Sequence, residues 1–514
     1  MFKQFKIFIF ICFAFSFVYA TETDKINHNA IYIKNIYFEG VTDKDELKDL
    51  QKISKDYLNK KLNIKNLQQL KKDLSNYFKK RGLLFTKVLL PAQNLTKGTL
   101  KFSIIKTKIK NIQIIGNKYY STDFIKRIFG FKEGDNLQYR KMLKNILLLN
   151  KYSDLTVKSY LKKGTDFGTT NVVLKVEDEK PFHATVSLDN SGSQETAKNR
   201  VNIDVRYGNS LYDGDNITFK STLGVSSLSA STRLFILNYN TSPLGDYYSR
   251  INLGYMYADY ITTGDLAALD LEGDTKIFNL GIQQPLYYST VLESDLSLMY
   301  YKKAIKSYIL GDISTTDWLN LAELKLYLKY TRITDIFTYG LSISKGINKD
   351  STKKSRLDSD DRFIKYNLST SYIKYINPEN SFQISFNSQY TKDRLPLSEL
   401  FTSGIKGTDG TKILGDSGFN TKIEWLYHPK VDYLDWLKNS IQVRLYLNYV
   451  KAFSNNIVPG EVKSSYLTSA GSNITLNIKK RYFGSISLSL PVDSSDKTIQ
   501  RKIQIYGYIG MKLW

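Results

Sequence analysis

From Ala30 to Lys180 the apolar residues switch from a period of two to a period near 3.6 and back, and they do so twice. Ile31–Glu39 alternates as a strand and stops at Gly40. Asp43–Leu50 and Leu67–Lys80 then carry apolar residues at helical spacing (Leu67, Leu70, Leu74, Phe78), with Gly82 where a helix end favours one. Phe85–Leu90 and Thr99–Lys106 return to strand, giving β-α-α-β-β. The order recurs: strand Ile109–Ile115 closed by Gly116-Asn117, a helix from a Ser121 cap to Phe129, a helix over Tyr139–Leu149, and strands Leu155–Leu161 and Thr169–Val176. Two successive units of about 75 residues make an internal repeat, each able to bury its helices on one face of a three-stranded sheet. The pattern predicts α+β domains over 30–107 and 108–180. The basic run Lys79-Lys80-Arg81 reads as charge placed favourably at a helix C-terminus.

After Pro181 the pattern is strand only. Val201–Tyr207, Ile217–Leu223, Tyr248–Tyr257, Ile277–Ile282 and Phe382–Tyr390 alternate between turns rich in Gly, Asp, Asn and Ser, such as Tyr212-Asp213-Gly214-Asp215. In Arg501–Leu513 the residues Ile503, Ile505, Ile509, Met511 and Leu513 share one face, and Lys502, Gln504, Tyr506, Tyr508 and Lys512 the other. Weak, alternating signals of this kind suit strands with lipid on one side and a wet lumen on the other. At roughly 20 residues per strand and connection, 181–514 predicts an all-β transmembrane barrel of about 16 antiparallel strands. A soluble sandwich or propeller is the alternative, and it leaves an amphipathic last strand ending in the aromatic Trp514 unexplained. No later run of 18 apolar residues offers a helical span.

The opening residues place this barrel in an envelope. Lys3 and Lys6 precede the apolar run Ile7–Val18, and Val18-Tyr19-Ala20 supplies small residues for cleavage, so 1–20 reads as a signal peptide and 21–29 as a short N-terminal segment. The single cysteine, Cys12, lies in that peptide, so the mature chain enters an oxidising compartment without disulfides. A net charge of +24 is spread over 73 Lys and Arg with no dense block, which does not favour nucleic acid as a partner.

Particular motifs narrow the reading. Gly82-Leu-Leu-Phe-Thr-Lys-Val-Leu-Leu-Pro91-Ala-Gln93-Asn-Leu95, followed by Gly98-Thr-Leu100, and Leu188-Asp189-Asn190-Ser191-Gly192-Ser193, followed by Arg200 and Gly214-Asp215, precede a long segment between the eleventh and twelfth predicted strands. That segment runs Leu395-Pro396-Leu-Ser398-Glu399-Leu-Phe401, Gly404-Ile405-Lys406-Gly407-Thr408, and Leu414-Gly415-Asp416-Ser417-Gly418. With these residues the chain resembles the transporters of two-partner secretion (the TpsB, haemolysin secretion/activation type) of the outer-membrane assembly-factor superfamily. The repeats resemble polypeptide-transport-associated (POTRA) domains, and 392–419 resembles the family's inward-folding loop.

The resemblance implies periplasmic POTRA domains, an outer-membrane barrel, and a loop tip of Gly404, Ile405, Lys406, Gly407 and Thr408 held with Gly415, Asp416 and Gly418 against the barrel wall. The family's tip Arg is Lys406 here and its tip aromatic is Thr408. The wall Asp that pairs with that Arg is Asn448, within Tyr446-Leu-Asn448-Tyr-Val450. A bidentate Arg–carboxylate bond becomes at best an ammonium–amide bond, weaker and less directional, with Glu424 a candidate compensating acceptor. Residues 21–29 are too short for the helix that plugs the barrel in well-known members, so the loop alone is expected to close the pore. The apolar face of the last strand is one residue out of phase with Trp514.

The function implied is export of a large β-rich partner protein of adhesin or haemolysin type. An unfolded passenger would add as a strand to a free sheet edge. The edge expected for this is Leu155, Val157 and Leu161, beside a groove from Tyr139 and Leu143. Further partners implied are outer-membrane lipid and the barrel assembly machinery, with the transporter monomeric and no cofactor or metal required. Alternatives are a factor that inserts other barrels, against which two arm domains argue, and a plain porin, for which the arm is superfluous. Gly415-Asp-Ser-Gly418 also spells a serine-protease signature, but His28, His183 and His428 lie in no fitting context, and the sequence argues against an enzyme. The acidic cluster Asp358–Asp361 reads as a polar loop tip rather than a cation site.

Overall fold

A computed structural model of the chain describes residues 30–193, 196–226, 229–245, 247–262, 270–348, 351–404, 412–431, 437, 440–479, 481–497, 499 and 501–513. The predicted signal peptide 1–20, the segment 21–29, the predicted loop tip Ile405–Thr408 and Trp514 lie outside them. The chain divides into two compact units, one reaching Lys108 and including Asn136–Tyr139, the other holding Ile109–Asp135 and Arg140 onward.

In the first unit, helix α1 (Lys44–Ser54) starts because the Asp43 carboxylate accepts from the amides of Asp45 at 2.9 Å and Glu46 at 3.3 Å, and two acids then meet the positive end of the helix dipole. Helix α2 (Ile64–Lys80) begins one turn before its apolar stripe, where the side chains of Asn63 and Asn66 cap one another's backbone amides. Leu50, Leu70, Leu74 and Phe78 are fully buried against Leu100 and Phe102 of the strand Thr99–Ile105. That strand is central, parallel to Asn35–Glu39 and antiparallel to Lys87–Leu89.

The predicted single strand 31–39 is broken at Lys34. The Gly98 carbonyl accepts from the amides of Lys34 (2.7 Å) and Asn35 (3.2 Å), and Ile31–Ile33 pairs instead with a short strand, Lys60–Leu62, that the pattern missed. Gly98 is needed there: its φ is +70°, and a Cβ would stand 2.9 Å from the Tyr32 carbonyl oxygen. The Pro91–Leu95 stretch has a physical reason too. The Gln93 amide accepts from the Lys101 amide at 2.7 Å and donates to its carbonyl at 2.8 Å, extending the sheet by a side chain.

In the second unit, α3 (Thr122–Phe129) is capped by Ser121, which accepts from the Phe124 amide at 3.1 Å, and ends at Gly130 with φ +63°. With α4 (Tyr139–Leu149) and a sheet ordered Lys108–Ile115, Thr169–Asp178, Leu155–Lys163, this is the predicted β-α-α-β-β arrangement. Leu155–Lys163 is an edge strand.

The remainder is a closed barrel of sixteen strands with antiparallel neighbours, from Phe182–Asp189 to Gln504–Lys512. Leu280, Ile282, Leu298, Leu324, Ile505 and Ile509 lie exposed on the outside, as alternation requires. The first and last strands close the ring through five residue pairs, Tyr508↔Asp189 to Lys512↔Thr185, against ten between Asn199–Gly208 and its next neighbour. Asn190 lengthens that seam, its side-chain oxygen accepting from the Gly507 amide at 2.8 Å.

The second α+β domain sits directly on one end of the barrel. Asp154 holds Arg206 at 3.0 Å and His183 at 2.8 Å, Lys151 pairs with Glu293 at 2.6 Å, and Arg127 donates to the Pro243 carbonyl at 2.9 Å. The turn 209–215 inserts Gly214 beneath the rings of Phe124 and Tyr152. Its φ is +83°, and a Cβ would lie 2.6 Å from the Phe124 ring. Gly214→Val therefore adds a ring clash to about 1–2 kcal/mol of backbone strain. Limited proteolysis should find cleavage near 209–215 and 118–130 accelerated, while the barrel keeps its heat-modifiable gel mobility.

Candidate functional site: the inward hairpin and the free sheet edge

Between the eleventh strand, Asn380–Thr391, and the twelfth, Ser417–Tyr427, the chain folds inward. Phe401–Gly404 and Lys412–Gly415 pair as a hairpin, and Phe401 and Ile413 bury against Val450, Ala452 and Leu467 on the inner wall. Two glycines permit this approach. A Cβ on Gly415 would lie 2.7 Å from the Phe453 backbone, and one on Gly418 would lie 2.3 Å from the Phe401 ring. Asn420 on the wall donates to the Ser403 hydroxyl at 2.6 Å, next to Gly404. The descending arm is fixed by Glu399, 3 % exposed, which takes Lys303 at 2.5 Å and Lys365 at 2.9 Å from two other strands.

The root of the hairpin is held by four charges from three connections, Arg356, Arg394 and Asp416 buried and Glu461 half-buried. Arg356 (connection 347–363) meets Asp416 at 2.7 Å and Glu461 at 3.0 Å. Arg394, on the descending arm, makes two bonds of 2.6 Å to the same Glu461, which lies in the connection 454–463. Asp416 is fully buried and also accepts from the amides of Leu395 and Asn455, each at 2.7 Å. Donation from Arg394 and then Arg356 pulls the Glu461 carboxyl far below the usual range, to about 2. Only Asp416 of these four was singled out in the sequence, as part of a loop motif. Residues 38, 22 and 45 positions apart share no spacing signal, since their meeting depends on barrel closure. The reading of Asp358–Asp361 as a solvated tip needs correction, because Asp361 is 1 % exposed and accepts from the Ser351 amide at 3.2 Å.

Asn448 faces inward, buried, with its side-chain oxygen in no hydrogen bond among the described residues. Glu424 is also buried but its charge is met within the wall, by Lys422 at 2.9 Å and Arg444 at 3.4 Å. Lys406, which the sequence places opposite Asn448, lies outside the described residues with Ile405, Gly407 and Thr408.

On the edge strand, Leu155 and Val157 turn their side chains into the domain core, 4 % and 1 % exposed, so they cannot present side chains to a peptide. Tyr160 and Leu161 are exposed, and Tyr139 and Leu143 are half-buried. The Asn150 amide occupies part of the edge: it accepts from the Val157 amide at 2.6 Å and donates to its carbonyl at 3.2 Å. By the alternation of an antiparallel ladder, the backbone groups of Ser159 and Leu161 point the same way and are left for another strand.

A sixteen-stranded barrel with an internal hairpin and an N-terminal POTRA-like region defines the class of outer-membrane proteins that handle polypeptides. The profile of the haemolysin secretion/activation protein family ShlB/FhaC/HecB matches residues 168–448, more than half of the chain, and that of the ShlB-type POTRA domain matches 31–107. The chain belongs to this family of two-partner secretion transporters, with its barrel in the outer membrane and its POTRA region in the periplasm. It is similar to the heme/hemopexin transporter protein HuxB of Haemophilus influenzae, 21% identical over 89% of this chain and 82% of HuxB. It is similar also to the outer membrane transporter CdiB of Escherichia coli, 23% identical over 72% of this chain and 65% of that protein. The solved structure of CdiB from Escherichia coli superposes with a TM-score of 0.80 over 97% of this chain and 93% of that one, at 18% identity.

Because the folded pKa of Glu461 is depressed, its contribution at the hairpin root is full above the ordinary value of 4.5 and is lost as pH falls toward about 2. Conductance in planar bilayers should be rare at pH 7 and rise across that window, and Glu461→Gln should conduct at pH 7. A pH-independent trace from both proteins would count against the root as the hairpin's fastening. Asp416→Ala removes the buried carboxylate that Arg356 and the amides of Leu395 and Asn455 share, leaving Arg356 with Glu461 alone, and should lower the melting temperature of the detergent-solubilised protein.

Proposed function

We propose that this transporter exports one large, β-rich partner protein, of haemolysin, adhesin or heme-acquisition type, to the cell surface. The heme/hemopexin transporter HuxB and the hemolysin transporter HpmB of Proteus mirabilis are relatives whose names point to such cargo. The passenger, still unfolded, adds as a strand at Ser159–Lys163, where Tyr160 and Leu161 supply exposed apolar contact. It then threads the barrel as the hairpin moves, and folds outside. The observation that carries this reading is the half of the edge strand whose outward backbone groups meet no partner among the described residues, beside exposed apolar side chains. The domain divisions 30–107, 108–180 and 181–514 are part of the same proposal, as are a monomeric transporter, delivery by the barrel assembly machinery and the absence of catalysis.

For the hairpin tip we propose Lys406 as the donor that meets the orphan side-chain oxygen of Asn448, Gly404, Ile405, Gly407 and Thr408 being the rest of the tip that the family resemblance implies. The supporting observation is that Asn448 is a buried acceptor without a partner among the described residues, which is costly unless a donor reaches it. Glu424, already neutralised, is the lesser acceptor. Restoring a bidentate pair with Lys406→Arg and Asn448→Asp should tighten the tip, slow secretion several-fold and raise thermal stability. Each single change should do neither.

The test of function compares surface and culture-medium proteins from cells with and without the gene by mass spectrometry. Loss of one large β-rich protein, with other barrels intact, is the expected result; an unchanged set or a general loss of barrels would overturn it. Leu161→Pro, which removes an edge donor, should cut export at least tenfold while the barrel still assembles.

A further inference from the structure

The barrel's outer wall carries a cationic ring that export does not use. On the strand Leu292–Ile309, Lys302 and Lys306 flank Ala304 by two residues on each side. Across the ladder, Ala304 faces Lys276 on one neighbouring strand and Trp318 on the other. These positions are outward, because Lys302 pairs with Phe278, which is exposed on the same outer face as Leu280 and Ile282. Three lysines therefore surround one small residue with an indole beside it. None of the three has an ion-pair partner among the described residues; Lys276 stands 5.9 Å over the Tyr257 ring and Lys306 5.9 Å over Trp318. Three acids share this face farther along the wall: Asp274 lies opposite Lys306 and accepts from the Tyr308 hydroxyl at 2.8 Å, Asp259 beside it is paired with Arg233, and Glu272 lies opposite Tyr308.

The height of the ring matters. The second α+β domain marks the periplasmic end of the barrel, and Lys276, Lys302 and Lys306 lie toward the other. Below them, the outward positions from Phe278 to Leu286 are mostly apolar. Eight residues at about 3.4 Å each, tilted by about 40°, give roughly 20 Å of height, close to the ~25 Å apolar band of such barrels. The lysines therefore stand at the headgroup level of the outer leaflet, with Tyr257, Tyr300 and Trp318 as the aromatic girdle there. Water-facing lysines would need no ligand, but lysines without an ion pair at a lipid boundary attract the anionic headgroups of the leaflet.

We propose that this ring binds the phosphates of a phosphorylated glycolipid of the outer leaflet. Lys302 and Lys306 stand about 14 Å apart along the strand, so together with Lys276 between them they can meet two phosphates on one headgroup. Ala304 leaves room for the headgroup, and the Trp318 indole offers a flat apolar face to a sugar.

The test titrates the full-length protein, purified in detergent, with lipid A and reads the bound fraction by native mass spectrometry. Dephosphorylated lipid A and phosphatidylglycerol are the comparison probes. Wild type should retain lipid A at least about tenfold better than either. The triple variant Lys276→Ser, Lys302→Ser, Lys306→Ser should lose that advantage, while Lys451→Ser, an outward lysine elsewhere on the wall, should keep it. Ala304→Trp, which fills the centre and leaves every charge, is the second variant should the triple fail to show heat-modifiable mobility, and it too should lose lipid A. Retention by both the triple and Ala304→Trp overturns the site, as does equal binding of the dephosphorylated lipid. Equal binding of phosphatidylglycerol overturns the glycolipid as its occupant.

Discussion

In hydrocarbon a backbone amide or carbonyl has no water to turn to, and the architecture of the barrel follows from that constraint. A sheet satisfies it only by closing on itself, and closure gives every strand an inside and an outside. The outside becomes Leu280, Leu298, Leu324 and Ile509; the inside receives Lys303, Lys365, Lys422, Glu424 and Asn448. Polar groups that would be costly in lipid become the means of gripping a hairpin inside the ring. Closure also sets the strand count, so it decides which loops become neighbours at the rim.

The hairpin is fastened by two kinds of contact. Its sides use shape: Phe401 and Ile413 against Val450, Ala452 and Leu467, with Gly415 and Gly418 allowing the backbones close. Its root uses charge, with two arginines and two carboxylates sharing bonds among three connections. Apolar packing lets a segment slide, whereas a bidentate pair breaks at a defined threshold. A part that must stay shut and then move is well served by having both.

Alternation and capping were legible in the sequence because they are local. Asp43, Ser121 and Gly130 bound their helices within a few residues, and the face of Ile505 and Ile509 could be read from their spacing. What escaped depends on distant partners. The break at Lys34 is made by the carbonyl of Gly98, and the short strand Lys60–Leu62 exists only because Ile31–Ile33 is freed by it. Alternation located the edge strand, predicted as Leu155–Leu161, but could not say which of its faces is core, so Leu155 and Val157 stand among the residues expected to contact the passenger although their side chains are buried. Arg356, Arg394 and Glu461 carried no motif at all, and their association required the ring to be closed first.

Asn150 gives the edge strand a second character. An open sheet edge is sticky toward any extended chain, including the same edge of a neighbouring copy, and two such edges zipped along their length would begin an aggregate. By laying its side-chain amide along Val157, Asn150 halves the ladder available to a like partner. In a compartment crowded with half-folded chains, the protein thus keeps a hold short enough to be released and too short to be a nucleus.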